Sequence, residues 1–369
     1  MNLINISFAF LVSILLSRMV IPKILVIAFR KKLFDMPDER KVHQGIVPRL
    51  GGISFFPIIL FSFMLFECMQ SLQNDRDMLI FIHHDIFIQL CFLICGLILL
   101  FMVGIADDLV GVRYRQKFLV QFLAAIFFPL GGLWINNFYG LFGLYELSPW
   151  FGMPFTVLMV VFITNSINLI DGIDGLASGL SMVACLIFGC LFVHNQVYVY
   201  AAIAFILLGV LLPFFYFNVF GDAAHCRKIF MGDTGSLTLG YLLAFLAIKG
   251  SMFDPEISSM AKNGLIVAFA PLIIPCFDVL RVVFLRARKH KSLFLPDRNH
   301  IHHKFLNMGF SHRKSMILII FMSLVFSCFN IVAARFLDNN IVFIIDITVW
   351  IALHLWFDYV IKSRQIQAA

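Results

Sequence analysis

The sequence predicts an all-α, polytopic integral membrane protein, and three observations carry this prediction. Of the 369 residues, 61% are hydrophobic and only 13% are charged, and the mean hydropathy is +0.94. A soluble globule of this size needs far more polar side chains to cover its surface. Apolar runs long enough to cross about 30 Å of hydrocarbon recur along the whole chain. Lys and Arg, finally, collect in alternate connections between these runs.

Eleven apolar runs qualify as membrane-spanning helices by length and hydropathy. In chain order they lie near residues 3–29, 51–68, 86–105, 118–135, 153–170, 176–194, 197–219, 235–250, 264–285, 315–334 and 341–361. The run at 235–250 is the shortest. Because no internal repeat or low-complexity linker separates the runs, we expect residues 1–369 to form a single integral membrane domain.

The distribution of basic residues predicts the orientation, since Lys and Arg near helix ends favour the cytoplasmic side. If the amino terminus is periplasmic, the cytoplasmic connections and the carboxyl-terminal tail hold 21 of the 28 Lys and Arg residues. The net charge of +7 reflects this asymmetry. It indicates attraction to anionic lipid or substrate, so we expect the lipid bilayer, and no nucleic acid, among the partners.

Four stretches of unusual polarity all fall at the predicted cytoplasmic ends of apolar runs. They are GIADDLVGVRYRQKF (104–118), NSINLIDGIDGL (165–176), RKIFMGDTGS (227–236) and PDRNHIHHKF (296–305). The periplasmic connections that alternate with them carry nothing comparable. This shared sidedness predicts one composite site at the cytoplasmic face.

The first stretch carries two adjacent carboxylates, Asp107 and Asp108, at the end of an apolar run. Adjacent carboxylates repel each other unless a cation or a basic partner offsets their charge. Arg113, Arg115 and Lys117 follow within the reach of a loop. Two interpretations remain open: a magnesium or phosphate site, or interfacial charges solvated at the end of a helix.

In the second stretch, Asn168, Asp171 and Asp174 follow one another at intervals of three residues. On a continuing helical turn, they would line one face of the helix. Asp and Asn oxygens suit a hard cation such as Mg²⁺, which takes few protein ligands and shares its shell with substrate phosphates. The alternative is a polar helix cap.

The third stretch places Asp233 between two glycines, directly before an apolar run. Thr234 or Ser236 can cap the helix that begins there, and free backbone N–H groups can face an anion. Phe230 lies three residues earlier and is a candidate platform for a stacked base, with ordinary packing as the alternative.

The fourth stretch is a basic, titratable cluster of Arg298, His300, His302, His303 and Lys304. We expect it to contact phosphate oxygens; a solvated loop and a transition-metal site are the alternatives. In the preceding run, Asp278 and Arg281 lie one helical turn apart, and we expect them to form a structural ion pair, with a substrate contact as the alternative.

Taken in this order, and preceded by DMPDERKVHQGIVPRLGG (35–52), the four stretches resemble the polyprenyl-phosphate N-acetylhexosamine-1-phosphate transferases over residues 35–312. The resemblance implies a multi-pass enzyme of the bacterial cytoplasmic membrane. Such an enzyme uses Mg²⁺, with Mn²⁺ as the alternative ion. It transfers N-acetylhexosamine 1-phosphate from a UDP-N-acetylhexosamine to undecaprenyl phosphate, releases UMP and initiates an envelope glycan. A homodimer is left open.

The resemblance also implies roles for individual residues. Catalytic positions are matched by Asp107, Asp108, Asp171 and His302, and metal-holding positions by Asn168, Asp233 and Asp108. Substrate contacts are implied for Lys117, Asn165, Asp174, Phe230, Arg298, His300 and His303. Among these, Asp174 and Phe230 fall where the uracil of the donor is gripped.

Three alternatives remain. The last stretch resembles the branch that uses UDP-N-acetylglucosamine. The peptidoglycan branch, which takes UDP-N-acetylmuramoyl-pentapeptide, usually shows three consecutive histidines where this chain has His302, His303 and Lys304. From another class, an ion-coupled secondary transporter would bury its acids near the bilayer midplane. A non-catalytic scaffold is a third alternative.

Overall fold

The computed structural model describes residues 2–33, 47–73, 84–253, 263–290 and 299–368. Within these residues the chain is mostly helical and has one isolated β-bridge, in the connection at 131–148, which confirms the all-α prediction. The helices are α1 (Asn2–Arg30), α2 (Phe55–Gln73), α3 (His84–Val110), α4 (Tyr114–Leu130), α5 (Pro149–Ile170), α6 (Leu176–His194), α7 (Tyr198–Val219), α8 (Gly232–Ser251), α9 (Gly264–Phe269), α10 (Ile273–Arg288), α11 (Ile301–Asn307), α12 (His312–Ala333) and α13 (Asn339–Ala368).

Nine segments of the described chain are long and apolar enough to cross a bilayer. They are Asn2–Arg30, Gly51–Leu72, His84–Val110, Pro149–Ile170, Leu176–His194, Tyr198–Val219, Gly264–Arg288, His312–Ala333 and Asn339–Ile366. Two of the eleven predicted spans, α4 and α8, are not among them. Helix α4 has 17 residues, and α8 opens with the small polar sequence GDTGS. The number of eleven spans and the orientation therefore stay predictions.

Helix α8 is the centre of the bundle. Nearly all of its side chains from Thr234 onward are buried, and it packs against α3, α5, α6 and α9. Small residues allow neighbouring backbones to approach closely; Gly240, for example, lies directly against the backbone of Thr164 in α5. Because α8 is surrounded by protein rather than lipid, it does not need the continuous apolar surface of an outer span.

Two helices extend beyond the apolar runs from which they were predicted, at the ends that matter for the site. Helix α3 continues to Val110 although its apolar run ends near residue 105, and α4 begins at Tyr114 rather than at 118. Backbone hydrogen bonding does not stop where side chains become polar, so hydropathy does not mark a helix end. Asp107 and Asp108 consequently lie in the last turn of α3, and Lys117 lies in the first turn of α4.

The run predicted as one helix over 264–285 is broken. Helix α9 ends at Phe269, and a 3₁₀ turn at Ala270–Leu272 leads into α10. Pro271 in this turn has no N–H to donate and interrupts the helical ladder. The Ser327 hydroxyl of α12 donates to the carbonyl oxygen of Ala270 at 3.3 Å. A protein donor thus meets a carbonyl at the break, as a non-helical backbone at membrane depth requires.

Candidate active site

The ends of four helices bring predicted polar residues together at one end of the bundle, called here the site end. Lys117 Nζ donates to Asp107 Oδ2 at 3.1 Å and also to Asp233 Oδ2. Asn168 Nδ2 donates to Asp233 Oδ1 at 2.8 Å and to Ser236 Oγ at 2.7 Å. Residues from α3, α4, α5 and α8 therefore form one connected polar group.

The Lys117 ammonium is the cation that offsets two of the carboxylates. Its side chain and that of Asp107 are mostly buried, with 14% and 17% of their surface exposed. Two carboxylates that both reach one ammonium group would repel each other strongly without that positive charge between them. Asp107 is further oriented by the backbone N–H of Val112, which donates to Oδ1 at 2.6 Å. Lys117, one of the three basic residues that follow the acids in the first stretch, therefore pairs with Asp107 and Asp233.

Asp108 points away from its neighbour and meets the beginning of α8. Its Oδ1 accepts from the backbone N–H of Asp233 at 2.7 Å. Its Oδ2 accepts from the backbone N–H of Thr234 at 2.9 Å and from the Thr234 hydroxyl at 2.6 Å. The expectation that Thr234 or Ser236 would cap α8 was wrong, because the Thr234 hydroxyl donates to Asp108 of α3 and no side chain of α8 forms the cap. The expectation that free N–H groups would face an anion is confirmed, and the anion is Asp108.

The predicted alignment of Asn168, Asp171 and Asp174 along one helical face was also wrong. Helix α5 ends at Ile170, and residues 171–175 form a tight turn. Gly175 closes the turn with φ +77°, a left-handed conformation that residues with a Cβ rarely adopt. The three side chains consequently diverge: Asn168 donates to Asp233, Asp174 pairs with Lys228, and the side chain of Asp171 is exposed.

Asn218, near the end of α7, holds this turn in place and was not found from the sequence. Its Oδ1 accepts from the backbone N–H of Gly175 at 2.6 Å, and its Nδ2 donates to the carbonyl of Ile229 at 2.8 Å. The side chain is 5% exposed. Asn218 therefore ties the turn at 171–175 to the segment before α8. An isolated Asn at the end of an apolar run gives no sequence signal of this role.

Asp171 is the acid of the turn whose charge is least favoured. Its side chain reaches solvent, and the surrounding protein desolvates the carboxyl group in part. This burial, with the negative charges of Asp233 and Asp174, raises the pKa of Asp171 to about 7. Asp171 is therefore easier to protonate than an ordinary aspartate.

Asp174 forms an ion pair with Lys228, a residue that the sequence analysis did not select. The Lys228 ammonium lies 2.5 Å from Asp174 Oδ2 and 5.7 Å from the centroid of the Phe230 ring. Its position two residues before Phe230 was the signal in the sequence that could have identified Lys228. The three side chains place a charged donor and a charged acceptor beside an aromatic ring.

His302 lies on the turn at 171–175. The side chain is 2% exposed, its Nε2 edge packs directly against Gly172, and its Nδ1 has no hydrogen-bond partner among the described residues. Burial, together with the nearby His303, lowers the pKa of His302 to about 3. His302 is therefore neutral at physiological pH.

The other members of the fourth stretch have protein partners. His300 Nδ1 lies 2.8 Å from Asp278 Oδ2, and Asp278 Oδ1 accepts from Arg281 at 3.0 Å, which confirms the expected ion pair. Lys304 pairs with Asp358 of α13 at 2.7 Å. The His303 ring lies 4.2 Å from that of His302. Arg298 lies outside the described residues.

Asn165 faces α4 instead of the carboxylates. Its amide exchanges hydrogen bonds with the side chain of Gln121, and Nδ2 also donates to the Val161 carbonyl at 2.8 Å. In this structure the pair links α4 to α5. The substrate contact implied for Asn165 stays a prediction.

A second backbone segment supports the site from the side of α2. The N–H of Phe230 donates to the carbonyl of Pro48 at 2.9 Å. The N–H groups of Gly51 and Gly52 donate to the carbonyls of Phe230 and Met231, at 3.0 and 2.8 Å. In the sequence this segment carries a family resemblance and no other signal of a role at the site. The hydrogen bonds show that it pairs with the residues leading into α8.

Comparison with known proteins adds an independent finding. The model of glycosyl transferase family 4 matches residues 90–251, which include Asp107, Asp171 and Asp233. A probable undecaprenyl-phosphate N-acetylglucosaminyl 1-phosphate transferase of Bacillus subtilis is 30% identical over 367 residues, covering 99% of this chain and 92% of the relative. An undecaprenyl-phosphate alpha-N-acetylglucosaminyl 1-phosphate transferase of Yersinia pestis is 30% identical, covering 84% and 79%. The protein of that name from Escherichia coli K12 is 29% identical, covering 83% and 78%.

Proposed function

This chain belongs to glycosyl transferase family 4, the polyprenyl-phosphate N-acetylhexosamine-1-phosphate transferases, and from that premise we propose that it transfers N-acetylglucosamine 1-phosphate from UDP-N-acetylglucosamine to undecaprenyl phosphate, releasing UMP. The observation that carries the proposal is the joining of Asp107, Lys117 and Asp233 at one end of an apolar bundle. A polyprenyl phosphate keeps its chain in the bilayer and its phosphate at the interface. A transferase acting on it needs its polar residues at helix ends, and the product would begin an envelope glycan.

The carboxylates of the site end fit a divalent cation. Asp107 and Asp233 already share one positive charge, the Lys117 ammonium, so two oxygen donors face a common cation. Mg²⁺ prefers such oxygen donors and needs few from the protein. Within the described residues, no three His, Cys, Asp or Glu side chains are grouped to hold an ion by themselves. We assign Asp233 as the principal protein ligand, with Asn168 beside it.

The reaction joins two groups that carry several negative charges. A phosphate oxygen of the lipid attacks the phosphorus that bears the sugar, the bond from that phosphorus to the UMP oxygen breaks, and UMP leaves with the electron pair. When bound, Mg²⁺ supplies positive charge that offsets the diphosphate. Lys117 supplies further positive charge at the same point. The second pKa of the lipid phosphate is about 6, so this group is largely dianionic at pH 7. Deprotonation by Asp107 is therefore hardly required.

Asp174, Lys228 and Phe230 are assigned to the nucleotide. Phe230 offers an aromatic face for a base, and stacking of this kind contributes about 1–3 kcal/mol per base. The adjacent carboxylate and ammonium offer an acceptor and a donor, which complement the N3–H and the O4 of uracil. Cytosine presents the opposite pattern at these two positions, so this arrangement favours a uridine donor.

The alternatives fit the observations less well. Lys304 stands where the peptidoglycan branch usually has a third histidine, and here it pairs with Asp358. A transporter reading predicts clustered acids near the middle of the bilayer, whereas Asp107, Asp171 and Asp233 lie at helix ends. UDP-N-acetylmuramoyl-pentapeptide is therefore included in the test as an alternative donor.

The test is turnover by the purified full-length protein in detergent. The protein is incubated with undecaprenyl phosphate, Mg²⁺ and, separately, UDP-N-acetylglucosamine, UDP-N-acetylgalactosamine and UDP-N-acetylmuramoyl-pentapeptide, and UMP and lipid-linked product are measured. We expect both products with UDP-N-acetylglucosamine and their loss with EDTA or in Asp233→Asn. Asp222→Asn is the matched control, because Asp222 is exposed and forms its ion pair with His225 rather than with a residue of the site. Product from another donor alone would replace the proposed sugar, and no product from folded protein with any donor would refute the transferase.

A further inference from the structure

The adjacent acids Asp107 and Asp108 occupy different environments although sequence places them together. Asp107 faces the site end, where Lys117 bridges it to Asp233. Asp108 faces the backbone at the start of α8 and receives three hydrogen bonds from two residues there. We infer that Asp108 is a positioning residue, which holds the first turn of α8 and so places the Asp233 carboxylate, while Asp107 is the member of the pair that meets the reacting groups.

The hydrogen bonds of Asp108 use most of its capacity. A carboxylate offers about four acceptor positions, and Asp233 and Thr234 fill three of them. Two of the three donors are backbone N–H groups that a helix leaves without partners in its first turn, and the third is the Thr234 hydroxyl. A carboxylate at this position also interacts favourably with the helix dipole. Asp108 of α3 therefore caps the beginning of α8.

The backbone around Gly232 shows how closely the two elements fit. Gly232 has φ +73°, and a Cβ added there would lie 2.6 Å from Asp108 Oδ2. The same Cβ would collide with the carbonyl oxygen of Arg49. The turn entering α8 is therefore enclosed between Asp108 and the segment before α2. A shift of Asp108 would move the backbone that carries Asp233.

The rival assignment is Asp108 as a direct ligand of the metal. A direct ligand needs its lone pairs directed at the ion, and removing the Thr234 hydroxyl would then free one for that purpose. If Asp108 is a positioning residue, removing the Thr234 hydroxyl has the opposite effect. Asp108 then loses one of its hydrogen bonds to α8 and holds that helix less firmly. Thr234 is fully buried, so its hydroxyl acts on the site through Asp108.

The test therefore compares Thr234→Val with Thr238→Val in the full-length protein. Thr238 is also fully buried in α8, but its hydroxyl donates to the carbonyl of Thr234 within the same helix. Thermal unfolding, Mn²⁺ binding measured by electron paramagnetic resonance, and kcat are determined for both variants, for Asp108→Asn and for the double variant Asp108→Asn/Thr234→Val. The kinetic arm rests on the proposed function.

We expect Thr234→Val to lower kcat about tenfold through loss of one charge-assisted hydrogen bond, and Thr238→Val to change it less than about twofold. Asp108→Asn should lower kcat further, and the double variant should lose no more than Asp108→Asn alone, because both changes disturb one contact. Both Asp108→Asn and Thr234→Val should unfold at lower temperature than the wild type. Each should still bind Mn²⁺.

Two results would overturn the inference. The first is a Thr234→Val variant that matches Thr238→Val in kcat and in unfolding temperature. The second is abolition of Mn²⁺ binding by Asp108→Asn in protein that remains folded, while Thr234→Val binds the ion normally. If the wild type turns over no donor at all, the proposed function fails, but the unfolding and Mn²⁺ measurements still decide the role of Asp108.

Discussion

At the scale of single residues, Lys117 determines how Asp107 and Asp233 can share one site. The ammonium bonds both carboxylates and so takes the place between them that a divalent cation would favour. A lysine in this position neutralises the acids before metal or diphosphate arrives. It also competes with the metal for the same oxygens.

Replacing Lys117 by Met should therefore separate metal binding from catalysis. We expect Mn²⁺ to bind more tightly to Lys117→Met than to the wild type, because the competing ammonium is gone. Turnover should fall by about a hundredfold, since positive charge that stabilises the transition state is lost. Mn²⁺ titration and steady-state kinetics measure the two effects. Lys117→Arg should retain part of the activity.

Lys314→Met is the control for Lys117→Met, because Lys314 is an exposed residue in the first turn of α12. We expect it to match the wild type in both measurements. Weaker Mn²⁺ binding in Lys117→Met would contradict the competition described here.

His302 should make stability depend on pH. Its pKa is about 3 in the folded protein, whereas a histidine in an unfolded chain titrates near 6.5. Between these values the unfolded chain binds one more proton, so folding stability falls as the pH is lowered from about 6.5 towards 3. One proton corresponds to at most about 1.4 kcal/mol per pH unit. His302→Gln should flatten the dependence of unfolding temperature on pH in this window.

The comparison for His302 is His225→Gln, which changes an exposed histidine that pairs with Asp222. It should leave the acid side of the profile as steep as in the wild type. If His302→Gln and His225→Gln gave the same profile, burial of His302 would not be the cause of the acid sensitivity.

At the scale of elements, the sequence predicted the helices better than their ends. Long apolar runs identified the helical segments because hydropathy reports burial in lipid or protein over many residues. The same runs missed the last turn of α3 and the first turn of α4, where Asp107, Asp108 and Lys117 lie. They also missed α11, whose seven residues carry His302, because a short interfacial helix has no apolar run of its own.

The predicted residues of the site were limited in the same way. Asp107, Lys117, Asn168 and Asp233 do come together, because their helices end or begin on one side of the bundle. The direction in which each side chain points depends on tertiary contacts that spacing does not encode. This is why residue spacing alone did not show that Asp107 and Asp108 face different partners, and the metal-holding position for Asp108 rested on resemblance.

Asn218 gives a test at this scale, because it connects the turn at 171–175 with the segment leading into α8. Asn218→Ala should leave a buried N–H at Gly175 and a buried carbonyl at Ile229 without their partner, at a cost of about 1–3 kcal/mol for each group. Unfolding temperature should fall, and turnover should fall with it, since the turn carries Asp171. Thermal unfolding and kinetics check both effects.

The matched control for Asn218→Ala is Asn195→Ala, at the end of α6 away from the site end. Asn195 Nδ2 donates to the Leu191 carbonyl of α6, the helix that ends at the preceding residue. We expect a smaller loss of stability and unchanged turnover. Equal turnover in Asn218→Ala and Asn195→Ala would show that the connection is not needed to place the site.

At the scale of the whole molecule, the arrangement of charge implies a direction across the membrane. The ends of α3, α5 and α7 and the beginnings of α4, α8 and α12 lie at the site end or adjoin its residues. The connections on that side carry most of the Lys and Arg residues. Basic connections favour the cytoplasm, so the site end should face the compartment from which a soluble nucleotide sugar would be supplied.

Two cysteine positions can measure this orientation in membrane vesicles. Cys226 is exposed in the connection between α7 and α8 at the site end, and Trp150, with 92% of its surface exposed, lies at the opposite end of α5. In a background without the other cysteines, a membrane-impermeant maleimide should label Cys226 in inside-out vesicles only. Trp150→Cys in a cysteine-free chain should be labelled in right-side-out vesicles only. The reverse pattern would place the site end in the periplasm and contradict the orientation drawn from the basic residues, since a charge bias of this size would then have failed to set the topology.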